Sequence, residues 1–294
     1  MAEPKKSQTP RYGIAELYGR CLEDLEANEI RRLASAPRKS EPCPFRGSVC
    51  NKNGGVCSFR LYKADGSHGI PADNTIVSLC PQRFREAGTI FEWVGKELLG
   101  CAKPTVIGEV PFLLGNSDLP DTDPDAVGQI DMVLIDESKP TLQWCALEIQ
   151  AVYFSGEGMP SQFALLREWL GPGVPFPDKN RRPDFRSSGP KRLMPQLQTK
   201  VPTLRRWGKK MAVVVDLSFW NSLGPMDRVA DVSNCDVAWF VVSYERSPSG
   251  FKLVPHALHL TTLERAVEGL TGGRPISQNV FETNLRTRLP KASA

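Results

Sequence analysis

The clearest pattern along the chain lies between residues 130 and 154. IDMVLID (130–136) and LQWCALEIQAVYF (142–154) are apolar runs separated by a polar ESKP turn, which predicts an antiparallel hairpin. MAVVVDLSFW (211–220) and DVAWFVVSYE (236–245) have the near-continuous apolar content of buried strands. Elsewhere the spacing is helical. Ile14, Leu17, Cys21, Leu25 and Leu33 fall on one stripe of a helix within 12–34, with Glu16 and Arg20 paired at i,i+4. A second helix opens at Pro81, turns Phe84, Phe91, Val94 and Leu98 inward and ends at Gly100. A short helix is expected at about 161–170. Thr261 and Glu264 have capping-box spacing before a helix that stops at Gly272–Gly273. This order predicts an α/β (α+β) fold, a mixed central β-sheet flanked by helices.

Two segments interrupt the pattern. Residues 37–80 mix Pro, Gly and Asn with four cysteines and read as irregular chain with short turns. Residues of about 171–210 are rich in Pro, Gly and positive charge. The organisation expected is a helical segment at 1–36, a four-cysteine segment at 37–80, and a core at 81–294 that carries the basic loop.

Composition narrows the class without naming it. With 40% hydrophobic and 24% charged residues the chain is that of an ordinary globular protein. A net charge of +4 permits a nucleic-acid partner without requiring one. No apolar run has the character of a signal peptide or the length of a membrane span, which predicts a cytoplasmic protein. In a reducing cytosol, eight cysteines point to thiolate ligands or buried thiols before disulfides.

The chemistry begins at Glu148 and Gln150, two polar side chains inside the run WCALEIQAVYFSG. Side chains at i and i+2 of a strand share a face. A buried carboxylate needs a partner, and a divalent cation is one. The preceding strand offers Asp131, which a suitable hairpin register would bring to Glu148. An Asp on one strand followed by Glu-x-polar on the next is the core of the PD-(D/E)xK nuclease site. There two acids hold the metal and a third residue, usually Lys, holds or activates the attacking water. Here that third position is Gln150, whose amide can orient a water but cannot act as a base. Spacing alone leaves Glu148 open to a plainer reading, an interior ion pair with an arginine.

Cys43, Cys50, Cys57 and Cys80 are separated by six, six and twenty-two residues. That is not the CxxC spacing of a zinc ribbon, and it leaves a thiolate metal site and four separate thiols both open. Cys21, Cys101, Cys145 and Cys235 read as structural. The three histidines, His68, His256 and His259, have no motif that supports a Cys–His hydrolase. From Asp178 to Lys210 the chain carries eleven Lys or Arg residues against two Asp. Arg181, Arg182, Arg186, Lys191 and Arg192 are interleaved with Pro, Gly and Ser, either a solvated charge run or a surface for phosphates and guanine edges.

The wording of these segments resembles the NotI-like type II restriction endonucleases, whose active-site strand carries Gln where most PD-(D/E)xK relatives carry Lys. CALEIQAVYFSG is similar to that strand, and IDMVLID to the strand before it. FRSSGPKRLMPQLQTKVPTLRRWGKKMAVVVD (185–216) is similar to the segment that follows the active site, and PCPFRG (42–47) to the start of the family's metal-binding region. The resemblance covers most of residues 40–216. It implies a restriction-endonuclease-like core at 81–294, with Asp131 and Glu148 as Mg²⁺ ligands and Gln150 beside them. It implies a further upstream acid, for which Glu109 in GEVPF matches by local wording, with Asp118 and Asp125 nearer in the chain. It implies a structural iron site on Cys43, Cys50, Cys57 and Cys80, with zinc as the alternative. The implied activity is Mg²⁺-dependent cleavage of double-stranded DNA at a G·C-rich palindrome containing CGGCCG, leaving 5′-phosphates. A homodimer is implied, and a cognate DNA methyltransferase in the same bacterial host. The rival expectations are a non-catalytic DNA-binding protein on the same fold, a sequence-nonspecific repair nuclease, and a structural metal-ribbon protein.

Overall fold

Two sheets organise the chain in a computed structural model that describes residues 9–114, 126–248, 250–272 and 276–289. The smaller is built on β1 (Arg11–Leu17), β2 (Val56–Asp65) and β3 (His68–Ser78), in the order β3-β2-β1. Two-residue strands, Val174–Pro175 and Arg20–Cys21, close its edges. The larger contains β4 (Thr105–Leu114), β5 (Ala126–Asp136), β6 (Gln143–Ile149), β7 (Met211–Asp216), β8 (Val237–Ser247) and β9 (Gly250–Thr261). Its order is β9-β8-β7-β6-β5-β4. Strands β6, β7 and β8 run parallel, and the other neighbours are antiparallel. The expected mixed sheet flanked by helices is therefore present.

The α-helices of eight residues or more among the described residues are α1 (Ala27–Ala34), α2 (Thr89–Leu99), α3 (Pro160–Glu168), α4 (Met194–Arg206), α5 (Leu263–Thr271) and α6 (Gln278–Arg288). Because β6 and β7 are parallel, the chain must cross over between them, and α4 lies on that crossover. It lays Leu197, Val201 and Leu204 against Val133, Ala146, Val213 and Val215 on one face of the large sheet. On the other face, Phe84 and α2 residues Ile90 and Val94 cover Met132, Leu134, Leu147, Ala212 and Val214. Covered on both faces, β7 is buried at every position, which is why its sequence shows no alternation.

The hairpin of β5 and β6 forms as expected, with Met132 opposite Leu147 and Asp136 opposite Gln143. Asp136 accepts from the Ser138 N–H at 3.0 Å and thereby tightens the turn. Thr262 rather than Thr261 caps α5, and Gly272 ends it in the left-handed conformation (φ 65°).

Three expectations are corrected. Residues 12–34 are not one helix. Tyr18 and Gly19 take left-handed backbone (φ 50° and 75°), which ends β1 in a sharp turn, and the helix begins only at Ala27. A Cβ on Gly19 would lie 2.4 Å from Pro44 Cγ. Glu16 consequently faces inward to Arg83, and Arg20 pairs with Glu29. The stretch 37–80 is not irregular throughout, because β2 and β3 form a long hairpin across Gly66–Ser67, and Asp-Gly at residues 65–66 was its turn signal. The basic stretch is loop only in its first half. From Phe185 it coils into helical turns that lead into α4, although Pro202 lies inside that helix. Strand β9 and helix α6 were not anticipated.

Candidate active site

The register of β5 on β6 pairs Met132 with Leu147, so one step on Asp131 stands opposite Glu148. Val213 of β7 is the next neighbour of Glu148 in the same row. The two acids thus share the sheet face that α4 covers. Glu148 is 2% exposed, whereas the Asp131 side chain is half-exposed at the cleft. Burial, followed by the nearby charge of Asp131, pushes the Glu148 carboxyl up to about 8.

Helix α4 adds a residue that the strand pattern could not show. Lys200 lies on the same stripe as Leu197, Val201 and Leu204 and is buried with them. Its Nζ donates to Glu148 Oε1 and to Gln196 Oε1 at 3.0 Å, and stands 3.5 Å from Asp131 Oδ1. The signal available in the sequence was a lysine on an apolar helical stripe, a position where an unpaired charge is not tolerated.

Gln150 follows the last residue of β6. Its N–H still donates to Val214 O at 3.0 Å, while its side-chain NH₂ donates to Ala151 O at 2.6 Å. With Asp131, Ile149, Tyr153, Arg192 and Gln196 it lines a cleft of about 570 Å³. Glu109 lies on β4 between the pairs Gly108–Met132 and Val110–Ile130, which places it opposite Asp131. It is exposed, has left-handed backbone (φ 55°), and lines an adjoining cavity of about 330 Å³ with Asp131, Gln129 and Arg85. Asp118 and Asp125 lie outside the described residues.

The basic residues divide. Arg182, Arg186 and Lys191 are exposed and line one cavity of about 760 Å³ beside the cleft segment. Arg192 is exposed at the cleft itself, its guanidinium 3.6 Å from the centre of the Tyr153 ring. Arg181 is turned inward, 2% exposed, where it donates to Gln162 Oε1 at 2.8 Å and Gly158 O at 3.1 Å and so ties α3 to the loop.

Cys43, Cys50, Cys57 and Cys80 are all buried thiols. Burial, with Cys43 and Cys80 nearby, pushes the Cys50 thiol up, and burial, with Glu16 and Cys80, does the same to Cys57. The Gly19 N–H donates to Cys57 Sγ at 3.2 Å. Among the described residues no group of three or more His, Cys, Asp or Glu side chains is drawn together as a metal site. The donor chemistry nonetheless fits in both places. A carboxylate on the cleft wall with a second buried beside it suits a hard divalent cation, and buried neighbouring thiols suit zinc or iron.

The mixed sheet thus sets a buried acid beside one on the cleft wall, with a basic segment on the crossover that follows. Over residues 29–253 the chain matches the family of the restriction endonuclease NotI, and it belongs to that family. It is a type II site-specific deoxyribonuclease, a hydrolase that acts on double-stranded DNA. No curated protein matches the chain. Among the described residues no helix is long and apolar enough to cross a membrane.

Proposed function

We propose that this endonuclease cuts a G·C-rich palindrome, one containing CGGCCG, with Asp131 and Glu148 as the metal-holding acids of each subunit. The observation that carries the reading is the row across β5 and β6, which sets the buried Glu148 opposite Asp131, itself on the wall of a cleft bordered by Arg192. In the reaction a water oxygen bonds to phosphorus and the P–O3′ bond breaks. Its electron pair leaves on the 3′ oxygen, which takes a proton from solvent, while the water's own proton passes to solvent. The products are a 5′-phosphate and a 3′-hydroxyl. Bound Mg²⁺ would supply charge stabilisation at the phosphate and a lowered pKa for the water.

The chain's own residues do the remaining work. Gln150 presents an amide to the cleft, and Glu109 brings a third carboxylate near Asp131. Arg182, Arg186, Lys191 and Arg192 neutralise phosphates and offer guanidinium groups to guanine O6 and N7. Arg181, held inside the fold, contributes by shaping that loop. A two-fold site suits a homodimer with one cut per subunit. Host DNA in the bacterial cytoplasm would be protected by a cognate methyltransferase. Cys43, Cys50, Cys57 and Cys80 would hold a structural iron, or zinc in its place, that fixes the segment around them.

The test uses a fully sequenced plasmid incubated with the protein in Mg²⁺ or in EDTA, with Glu148→Ala alongside. Discrete Mg²⁺-dependent ends at one G·C-rich palindrome, absent in the variant, are expected. A smear of ends, or cutting that survives in Glu148→Ala, would overturn the reading.

A further inference from the structure

Lysine is almost never fully buried unless paired, and Lys200 is 6% exposed. An ammonium has three N–H donors and no acceptor. Three oxygens surround this one: Glu148 Oε1, Gln196 Oε1 at 3.0 Å and Asp131 Oδ1 at 3.5 Å. Gln196 precedes Lys200 by one helical turn, so it braces the amine from the same face of α4. Among the described residues Lys200 is the one cation paired with either acid. On the strand, by contrast, Gln150 occupies the third polar position and gives an N–H of its amide to Ala151 O.

We propose that Lys200 supplies, from helix α4, the amine that the active-site strand lacks at Gln150. The proposal rests on the assignment of Asp131 and Glu148 as the hydrolytic site. A charged amine cannot accept a proton, so its part is to donate. In the resting protein it donates to the acid pair and balances its charge. During hydrolysis it donates to the attacking water or to a phosphate oxygen, where negative charge accumulates as the P–O3′ bond breaks. The water's proton still leaves to solvent. Helix α4 crosses the sheet directly over the row of acids, which is why a residue 52 positions from Glu148 in sequence reaches it.

The experiment compares the parent with Lys200→Met, Gln150→Lys/Lys200→Met and Glu148→Gln, using the plasmid fragment that the parent cuts. With Ca²⁺ in place of Mg²⁺, under conditions in which the parent does not cut, Lys200→Met should hold the target as the parent does. In Mg²⁺ its single-turnover rate should fall by about 100-fold, the usual cost of one transition-state donor. Returning an amine to the strand in Gln150→Lys/Lys200→Met should restore most of the lost rate, which a merely structural role for Lys200 would not allow. The proposal is overturned if Lys200→Met cuts at the parent rate, if target binding falls in step with cutting, or if the double variant is no faster than Lys200→Met.

A second readout needs no turnover. In metal-free protein Lys200→Met should melt roughly 5 °C lower, because the buried Glu148 carboxyl loses a hydrogen-bond partner. Glu148→Gln/Lys200→Met should lose less than the sum of the two single changes. Additive losses would refute the pairing even if the parent proved not to cut DNA. A parent that cuts only with Glu148 intact, beside a Lys200→Met variant that cuts equally well, would sink this proposal and leave the site assignment standing.

Discussion

Removing the guanidinium of Arg83 should cost more stability than any surface change in this chain. Its side chain is fully buried, donating from Nε to Glu16 Oε2 at 2.9 Å, from Nη1 to Glu86 Oε2 at 2.9 Å and from Nη2 to Phe251 O at 2.8 Å. It is also held against Phe45 and Tyr244, each ring centre 4.7 Å away. Burial opposes its charge, but Glu16, Tyr244 and Glu86 outweigh that effect and hold its pKa above the ordinary value. In Arg83→Met the Glu16 carboxylate, 1% exposed, would keep, among the described residues, only Ser58 as a side-chain partner. Breaking one side of a buried pair costs about 3–5 kcal/mol. Against a total stability of about 5–15 kcal/mol that is a large fraction, equivalent to roughly 10 °C in melting temperature. Denaturant titration measures it, with Glu16→Gln/Arg83→Met as the control that removes both charges. The double variant should be more stable than Arg83→Met alone. Activity should fall with stability, because Pro81 and Gln82 of the same turn line the active-site cleft. A loss below about 1 kcal/mol, or a double variant that loses the full sum, would refute the reasoning.

Other consequences follow from the two proposed metal sites and the basic segment. The raised pKa of Glu148, about 8 in metal-free protein, means that the folded state binds this proton more tightly than the unfolded chain does. Its contribution to stability is then full below the ordinary carboxylate range and is lost as pH rises toward 8. On the proposed assignment it is the ionised form that holds the cation, so Ca²⁺ affinity measured by calorimetry should climb through the same window and flatten above it. An affinity that does not change with pH would refute this, and Glu148→Gln should abolish the slope. Replacing Cys57 with Ser should lose bound iron or zinc and soluble protein together, by metal analysis and yield; a folded, metal-free, active variant would rule out a structural role. Arg186→Ala should weaken DNA binding and reduce the salt slope of log K by about one, with circular dichroism unchanged. An unaltered slope would place that residue off the phosphate path.

The apolar runs determined the hairpin of β5 and β6 and the buried strands β7 and β8, because alternation and continuous burial are local properties that a few adjacent residues already express. The same logic put Asp131 and Glu148 on adjacent strands, while the register that sets them opposite each other came from the structure. That logic failed where two periods fit equally well. Ile14, Leu17 and Cys21 suit a helical stripe, yet the chain is a strand that turns at Tyr18 and Gly19, where the backbone is left-handed and the close approach of Pro44 leaves no room for a side chain on Gly19. Tertiary structure alone turned Arg181 inward to Gln162 while leaving Arg182 and Arg186 exposed, since neighbouring positions in a basic run carry no signal of which will face the core. It also brought Lys200 to Glu148. A lysine on an apolar helical stripe signalled that Lys200 needs a partner, but not that the partner would be Glu148. That contact exists because α4 must bury Leu197, Val201 and Leu204 on the sheet, and burying them carries Lys200 onto the acids.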